Sequence, residues 1–150
     1  MRNTDLAYIA GIIDGEGCIR FTSNRNRDGT RRYYSLVEIT MTKEFICQWL
    51  HFAFGGYFYS KKIPEGKNWA PQWRWYAKRQ DARNFLKAIY PFLRIKRAQA
   101  EIAIKLEESR IYHQRLRPMD FALQGAQEIL MKELNKRGAQ HEHQSSPNTG

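Results

Sequence analysis

Ile9-Ala10-Gly11-Ile12-Ile13-Asp14-Gly15-Glu16-Gly17 decides the fold. Leu6, Ile9, Ala10 and Ile13 recur at helical spacing and form one apolar face. Ala7, Ala10, Gly11 and Asp14 form an adjoining face with almost no bulk, so a second helix could approach this one closely. Gly15 and Gly17 admit backbone angles that other residues resist, which predicts that the helix stops there with Glu16 projecting from its end. A carboxylate at the negative end of a helix dipole is unfavourable. A divalent cation with oxygen ligands is the natural compensation.

The chain continues from this helix in a regular order. Cys18 to Asn24 and Tyr33 to Met41 alternate with period two around a basic, polar tip at 25–30, which predicts a long hairpin. Thr42 to Phe54 has helical spacing and is stopped by Gly55-Gly56; Tyr57 to Ile63 and Gln72 to Lys78 form a second hairpin. Helices follow over Asp81 to Tyr90, Arg94 to Arg110 and Pro118 to Lys136. The helical spacing of Trp49, Phe52, Phe54, Phe85 and Phe92 predicts core positions, and Ile102, Ile104 and Leu106 are expected in the core as well. The fold class is α+β: an antiparallel sheet backed by helices on one face, with extra C-terminal helices. One domain over 1–137 is expected, followed by a disordered tail over 138–150 that lacks an apolar pattern.

Twenty-five Lys and Arg against fifteen Asp and Glu give a net charge of +10, the footprint of a polyanion binder. No run approaches the ~18 apolar residues that a membrane-spanning helix requires, so no membrane partner is expected. A soluble, intracellular protein of the cytoplasm or an organelle matrix is expected. Cys18 and Cys47 are too isolated for a zinc site or a disulfide, and His113, His141 and His143 lack ligand spacing.

Alternation sorts the strand residues. Arg20, Thr22 and Asn24 share the side opposite Ile19 and Phe21; Arg32, Tyr34, Glu38 and Thr40 share a side with the apolar Leu36, opposite Val37 and Ile39. Tyr57, Tyr59 and Lys61 line one side of the third strand, while for the fourth the open side holds either Arg74 or Trp75. These residues offer the donors and acceptors needed to read base edges in the major groove. A strand of about ten residues at ~3.3 Å each spans ~33 Å, close to one turn of duplex. Arg25, Arg27 and Arg31 at the tip, with Lys61, Lys62 and Lys67 in the second hairpin, suit phosphate contacts.

The opening segment resembles the signature of the LAGLIDADG homing endonucleases, and the resemblance extends over most of residues 5 to about 110, through Asn84-Phe85-Leu86 and Pro91-Phe92-Leu93-Arg94-Ile95-Lys96. It implies the family's saddle-shaped sheet and an intron-encoded, site-specific double-strand DNA endonuclease. It assigns catalysis and metal binding to Glu16, with the Gly15 carbonyl beside it, and gives Asp14 a structural role at the helix end and interface. The departure is Glu at position 16, where Asp is commoner. Lys96 corresponds to a lysine near the family's active site. The segment after the second strand, where the family has a polar or basic residue, reads Thr40-Met41-Thr42-Lys43, which nominates Lys43 and Thr42 and places Met41 at the position expected to be polar.

A single motif implies a homodimer that pairs through Ala7, Ala10, Gly11 and Asp14, cuts a long pseudo-palindromic target with Mg²⁺ and leaves short 3′ overhangs. Mn²⁺ or Ca²⁺ could occupy the same site, and no other protein partner is implied. Two alternatives remain open at this point: an intron RNA maturase or non-cleaving DNA-binding regulator on the same scaffold, and a basic protein that binds nucleic acid without sequence preference.

Overall fold

The computed structural model describes residues 1–116 and 121–144, with side chains for 1–110 and 123–137. Helix α1 (Asn3–Glu16) opens the chain, and the Asp5 carboxylate in its first turn accepts the Arg2 backbone N–H at 3.2 Å. The backbone passes directly from α1 into β1 (Gly17–Arg25), then β2 (Arg31–Met41), α2 (Glu44–Phe54), β3 (Tyr57–Lys61) and β4 (Gln72–Lys78). Helix α3 (Arg79–Ile89), a 3-10 turn at Tyr90–Phe92, α4 (Arg97–Leu116) and α5 (Phe121–Gln144) complete it.

The four strands form one antiparallel sheet in the order β1-β2-β4-β3. Both hairpins, the α1 motif helix and the α+β class are as the sequence implies. Residues 138–144 are helical where the sequence predicts a disordered tail; 145–150 and Pro118 lie outside the described residues.

The core lies between one sheet face and the helices. Ile9, Ala10 and Ile13 of α1 meet Ile19, Val37, Ile39 and Trp75 from the sheet, Phe85, Leu86 and Ile89 of α3, and Ala100, Ala103 and Leu106 of α4. Trp75 is fully buried, stacks edge-on against Phe85 at 4.8 Å and donates its indole N–H to the Gly55 carbonyl at 2.9 Å. At Gly56, φ is +79° and a Cβ would stand 2.5 Å from the Tyr76 carbonyl oxygen, so only glycine lets α2 turn tightly into β3.

Strand β2 outruns β4, because the β2·β4 ladder ends at Leu36↔Lys78 and leaves residues 31–35 with an open edge. Side chains from the C-terminal helices take over. The Ser35 N–H donates to Glu107 at 2.7 Å, the Tyr33 N–H to Gln124 at 3.3 Å, and the Ser35 hydroxyl to the Ala103 carbonyl at 3.0 Å. Glu107 also pairs with the nearly buried Arg110 at 3.2 Å. Burial pushes the Arg110 guanidinium below its ordinary range, Glu107 pulls it back, and the nearby Arg79 and Arg32 push it further down.

Replacing Glu107 by Ala orphans one buried backbone N–H and one buried cation. Loss of about 3 kcal/mol in denaturant unfolding is expected, since breaking a buried pair from one side leaves an uncompensated charge.

Candidate active site and nucleic-acid interface

Glu16 is the last residue of α1 and is exposed. The helix ends there for a reason other than backbone freedom. Gly17 has ordinary extended angles, φ −80° and ψ 160°, and Gly15 is helical. A Cβ on Gly17 would stand 2.9 Å from the Cα and carbonyl oxygen of Ile13, so the chain needs glycine for close approach as it folds back into β1.

Asp14 and Lys96 lock this helix end to the start of α4. The Asp14 carboxylate accepts the backbone N–H groups of Arg94 at 2.8 Å, Ile95 at 3.2 Å and Lys96 at 2.9 Å. In return the Lys96 ammonium donates to the carbonyls of Ile13 and Asp14, both at 2.9 Å. Asp14 thus holds the segment leading into α4, and Lys96 binds carbonyls at the C-terminal end of α1. Glu16 is left as the free carboxylate at the end of α1. Strand register pairs Gly17 with Ile39 and carries Thr40 and Met41 past the start of β1, to the end of the sheet at which α1 delivers Glu16. Lys43 follows them, exposed, as the residue preceding α2.

Ala7 and Gly11 are exposed along α1, but Ala10 is fully buried in the core of its own chain and has no area to offer a second one. The dimer-interface expectation for Ala10 is therefore corrected: its side of the helix is the side that packs inward with Ile9 and Ile13.

The sheet face turned away from the helices carries the polar strand residues. On β1 these are Cys18, Arg20, Thr22 and Asn24, opposite Glu38, Leu36, Tyr34 and Arg32 of β2. On β4 they are Arg74, Tyr76 and Lys78, with Tyr57, Tyr59 and Lys61 on β3. Register thus settles the fourth strand: Trp75 points into the core and Arg74 to the open face.

Glu38 is the hub of this face. Its two oxygens are taken by Arg20 Nε at 3.3 Å and by the Arg74 guanidinium, and Arg74 also donates to the Tyr59 hydroxyl at 3.0 Å and lies over the Tyr76 ring. Glu38, expected from sequence among the base-reading residues, is engaged by two arginines. Leu36 is buried yet outside the core cluster, flanked on the open face by its cross-strand partners Arg20 and Lys78. Tyr57 stacks on Tyr76 at 4.9 Å, and the Lys78 ammonium lies over the Tyr57 ring at 5.1 Å. Arg25, Arg27 and Arg31 are exposed at the hairpin tip, as are Arg32, Lys61 and Lys62 on the strands and loop.

Arg79 escaped the sequence reading. It has φ +55°, uncommon for a residue with a side chain, and its guanidinium covers the Tyr34 ring at 4.9 Å. Nothing in its spacing marks it, because it falls at the junction of β4 and α3.

Solved structures share this fold. The homing endonuclease I-CvuI, in complex with its target in the presence of 2 mM Ca, superposes with a TM-score of 0.65 at 18% identity, over 88% of this chain and 80% of that one. The I-SmaMI LAGLIDADG homing endonuclease bound to cleaved DNA gives 0.64 at 15% identity, over 85% of this chain and 45% of that one. The fold is that of the LAGLIDADG homing endonucleases. The archaeal intron-encoded homing endonuclease I-Vdi141I, complexed with DNA, gives 0.58 at 16% identity over 89% and 98%. No family model matches the sequence, and no curated protein matches it. Within the LAGLIDADG fold, the motif helix ending in Glu16 is α1. Among the described residues no helix is long and apolar enough to cross a membrane.

Proposed function

We propose that this chain is a LAGLIDADG homing endonuclease. As a homodimer it binds a long pseudo-palindromic duplex with its open sheet face in the major groove, and with divalent metal it hydrolyses one phosphodiester in each strand, leaving short 3′ overhangs. The observation that carries this reading is a free carboxylate, Glu16, delivered by α1 at the end of a sheet whose open face is set with arginines, lysines and hydroxyls. The chain's match to nearly all of I-Vdi141I but under half of I-SmaMI fits a unit that works in pairs.

The oxygen donors suit a hard cation such as Mg²⁺. Glu16 is exposed and in no ion pair among the described residues, and the Gly15 carbonyl lies one residue away. Because Asp14 is committed to α4, each chain contributes one free carboxylate here, and a second chain completes the set. A divalent cation bound there supplies Lewis-acid polarisation of the scissile phosphate. Glu16 holds the site against the phosphate backbone. Lys96 keeps one ammonium proton beyond the two given to α1, enough to donate to a phosphate oxygen. Lys43 stands beyond the end of β2 with the same charge to offer. Arg25, Arg27, Arg31, Lys61 and Lys62 neutralise flanking phosphates. Arg20, Thr22, Asn24, Arg32, Tyr34, Thr40, Tyr57, Tyr59 and Arg74 face the base edges.

Glu38 acts through its arginines. Glu38→Gln removes the charge that fixes Arg20 and Arg74 while making the face more positive. Fluorescence anisotropy should therefore show the ratio of cognate to scrambled-duplex affinity falling about tenfold, with scrambled-duplex affinity unchanged or higher. Equal weakening on both duplexes would mean that Glu38 orders nothing.

One observation favours a second reading. The Lys96 ammonium is tied to α1, and Met41 occupies the position at the end of β2 where a polar side chain was expected. Both features suit a binder that no longer cuts, an intron maturase or a DNA-binding regulator. A plasmid carrying the uninterrupted insertion locus separates the two. Cleavage at one site with Mg²⁺, abolished by EDTA, supports the endonuclease; specific binding without cleavage supports the binder.

A further inference from the structure

Helix α2 presents two apolar faces, and only one of them is used. Ile46, Cys47 and Leu50 are buried in the core. Phe45, Trp49 and Phe52 form a second stripe one residue out of phase: Phe45 is 63% exposed, Phe52 is 86% exposed and Trp49 is only partly covered. This overturns the core assignment of Phe52; Phe85 lies in the core and Trp49, Phe54 and Phe92 are partly buried against it, as expected. Tyr8 of α1, 55% exposed, lies 6.3 Å from the Trp49 ring and joins the stripe to the motif helix.

We propose that this stripe, Phe45, Trp49 and Phe52 with Tyr8, is covered by a second copy of the chain and supplies the main apolar area of the dimer interface. The proposal rests on the homodimeric reading above and names the surface that makes the dimer. Charge favours a protein occupant over nucleic acid. Across α1 and α2 there are four carboxylates, Asp5, Asp14, Glu16 and Glu44, and no Lys or Arg, in a chain with twenty-five.

Continuity favours the second copy. The stripe runs through Tyr8 onto the exposed side of α1, where a Cβ on Gly11 or Gly15 would meet nothing within 4 Å. A two-fold axis that brings a second Glu16 to the first apposes the same helices of both copies. Area points the same way. A stable interface needs roughly 800 Å² per partner. Alanine and glycine on α1 cannot supply it alone; a fully buried aromatic ring brings about 150–250 Å², and Phe45, Phe52 and Tyr8 still expose more than half of theirs.

Sedimentation velocity on the full chain over a concentration series tests this, with Phe45→Ser/Phe52→Ser and Gly11→Leu as variants. Both phenylalanines are exposed, so the double variant keeps its fold, checked by an unchanged far-UV spectrum. Self-association of the double variant weakened by about a hundredfold supports the proposal. Retention of the dimer by Phe45→Met/Phe52→Met, which keeps apolar area, supports it further. A double serine variant that dimerises as wild type while Gly11→Leu is monomeric overturns it and leaves pairing to α1 alone. A wild-type chain that stays monomeric even on duplex DNA overturns both this proposal and the homodimeric reading.

Discussion

Glu16→Gln abolishes double-strand cleavage and leaves duplex binding close to wild type. The loss should reach about three orders of magnitude, because the carboxylate that anchors a divalent cation underlies several kcal/mol of charge stabilisation at the phosphate. Binding survives because the positive open face is untouched: Arg25, Arg31 and Arg32 lie at the tip end of the β1–β2 hairpin, far along the strands from the end of α1. The protein should not be destabilised either. Glu16 is exposed at the negative end of the α1 dipole, and neutralising it there is worth a few tenths of a kcal/mol in the stabilising direction. Cleavage kinetics, anisotropy and a thermal melt on the same preparation check all three. A variant that still cuts, or one that loses cleavage and binding together, refutes the assignment.

Asp14→Ala strikes the fold and the site at once. Its carboxylate accepts three backbone N–H groups in the segment leading into α4, and the lysine of that same segment returns two bonds to the end of α1. Losing an N-cap typically costs ~1 kcal/mol, and a carboxylate acceptor shared by three donors counts for more. A stability loss of about 3 kcal/mol in chemical denaturation is expected. With α4 no longer tied to α1, Lys96 and Glu16 lose their relative placement and cleavage falls as well. Asp14→Asn, which retains an oxygen acceptor, should recover part of the stability. An Asp14→Ala protein as stable as wild type would show that the clamp contributes little.

The sequence made the scaffold readable where periodicity and charge point the same way. The small-residue helix running into Glu16, the alternation that sends Ile19 and Val37 inward and Arg20 and Thr22 outward, and the glycine pair after α2 each have one physical reading. Ambiguity entered where two patterns have the same period. Phe45, Trp49 and Phe52 repeat as Ile46 and Leu50 do, about 100° out of phase round the helix, and spacing alone put the exposed Phe52 in the core. Ala10 belongs by spacing to both faces of α1, and only packing assigns it to the core.

Other features depend on contacts distant in sequence. Glu107 and Gln124 are buried because β2 outruns β4, a fact of register that helical sequence cannot reveal. Glu38 could be placed on the open face by alternation, but its engagement with Arg20 and Arg74 needed the neighbouring strands.

The central claim is that two copies of the chain each deliver one Glu16 to a single duplex. Co-refolding wild-type and Glu16→Gln chains in equal amounts, at fixed total concentration, tests it through the rate of double-strand cleavage. Random pairing leaves about one quarter of dimers with both carboxylates, so the rate should fall to about a quarter of wild type. A rate of about one half, in proportion to the wild-type chains present, would show that each chain cuts alone and would contradict the account.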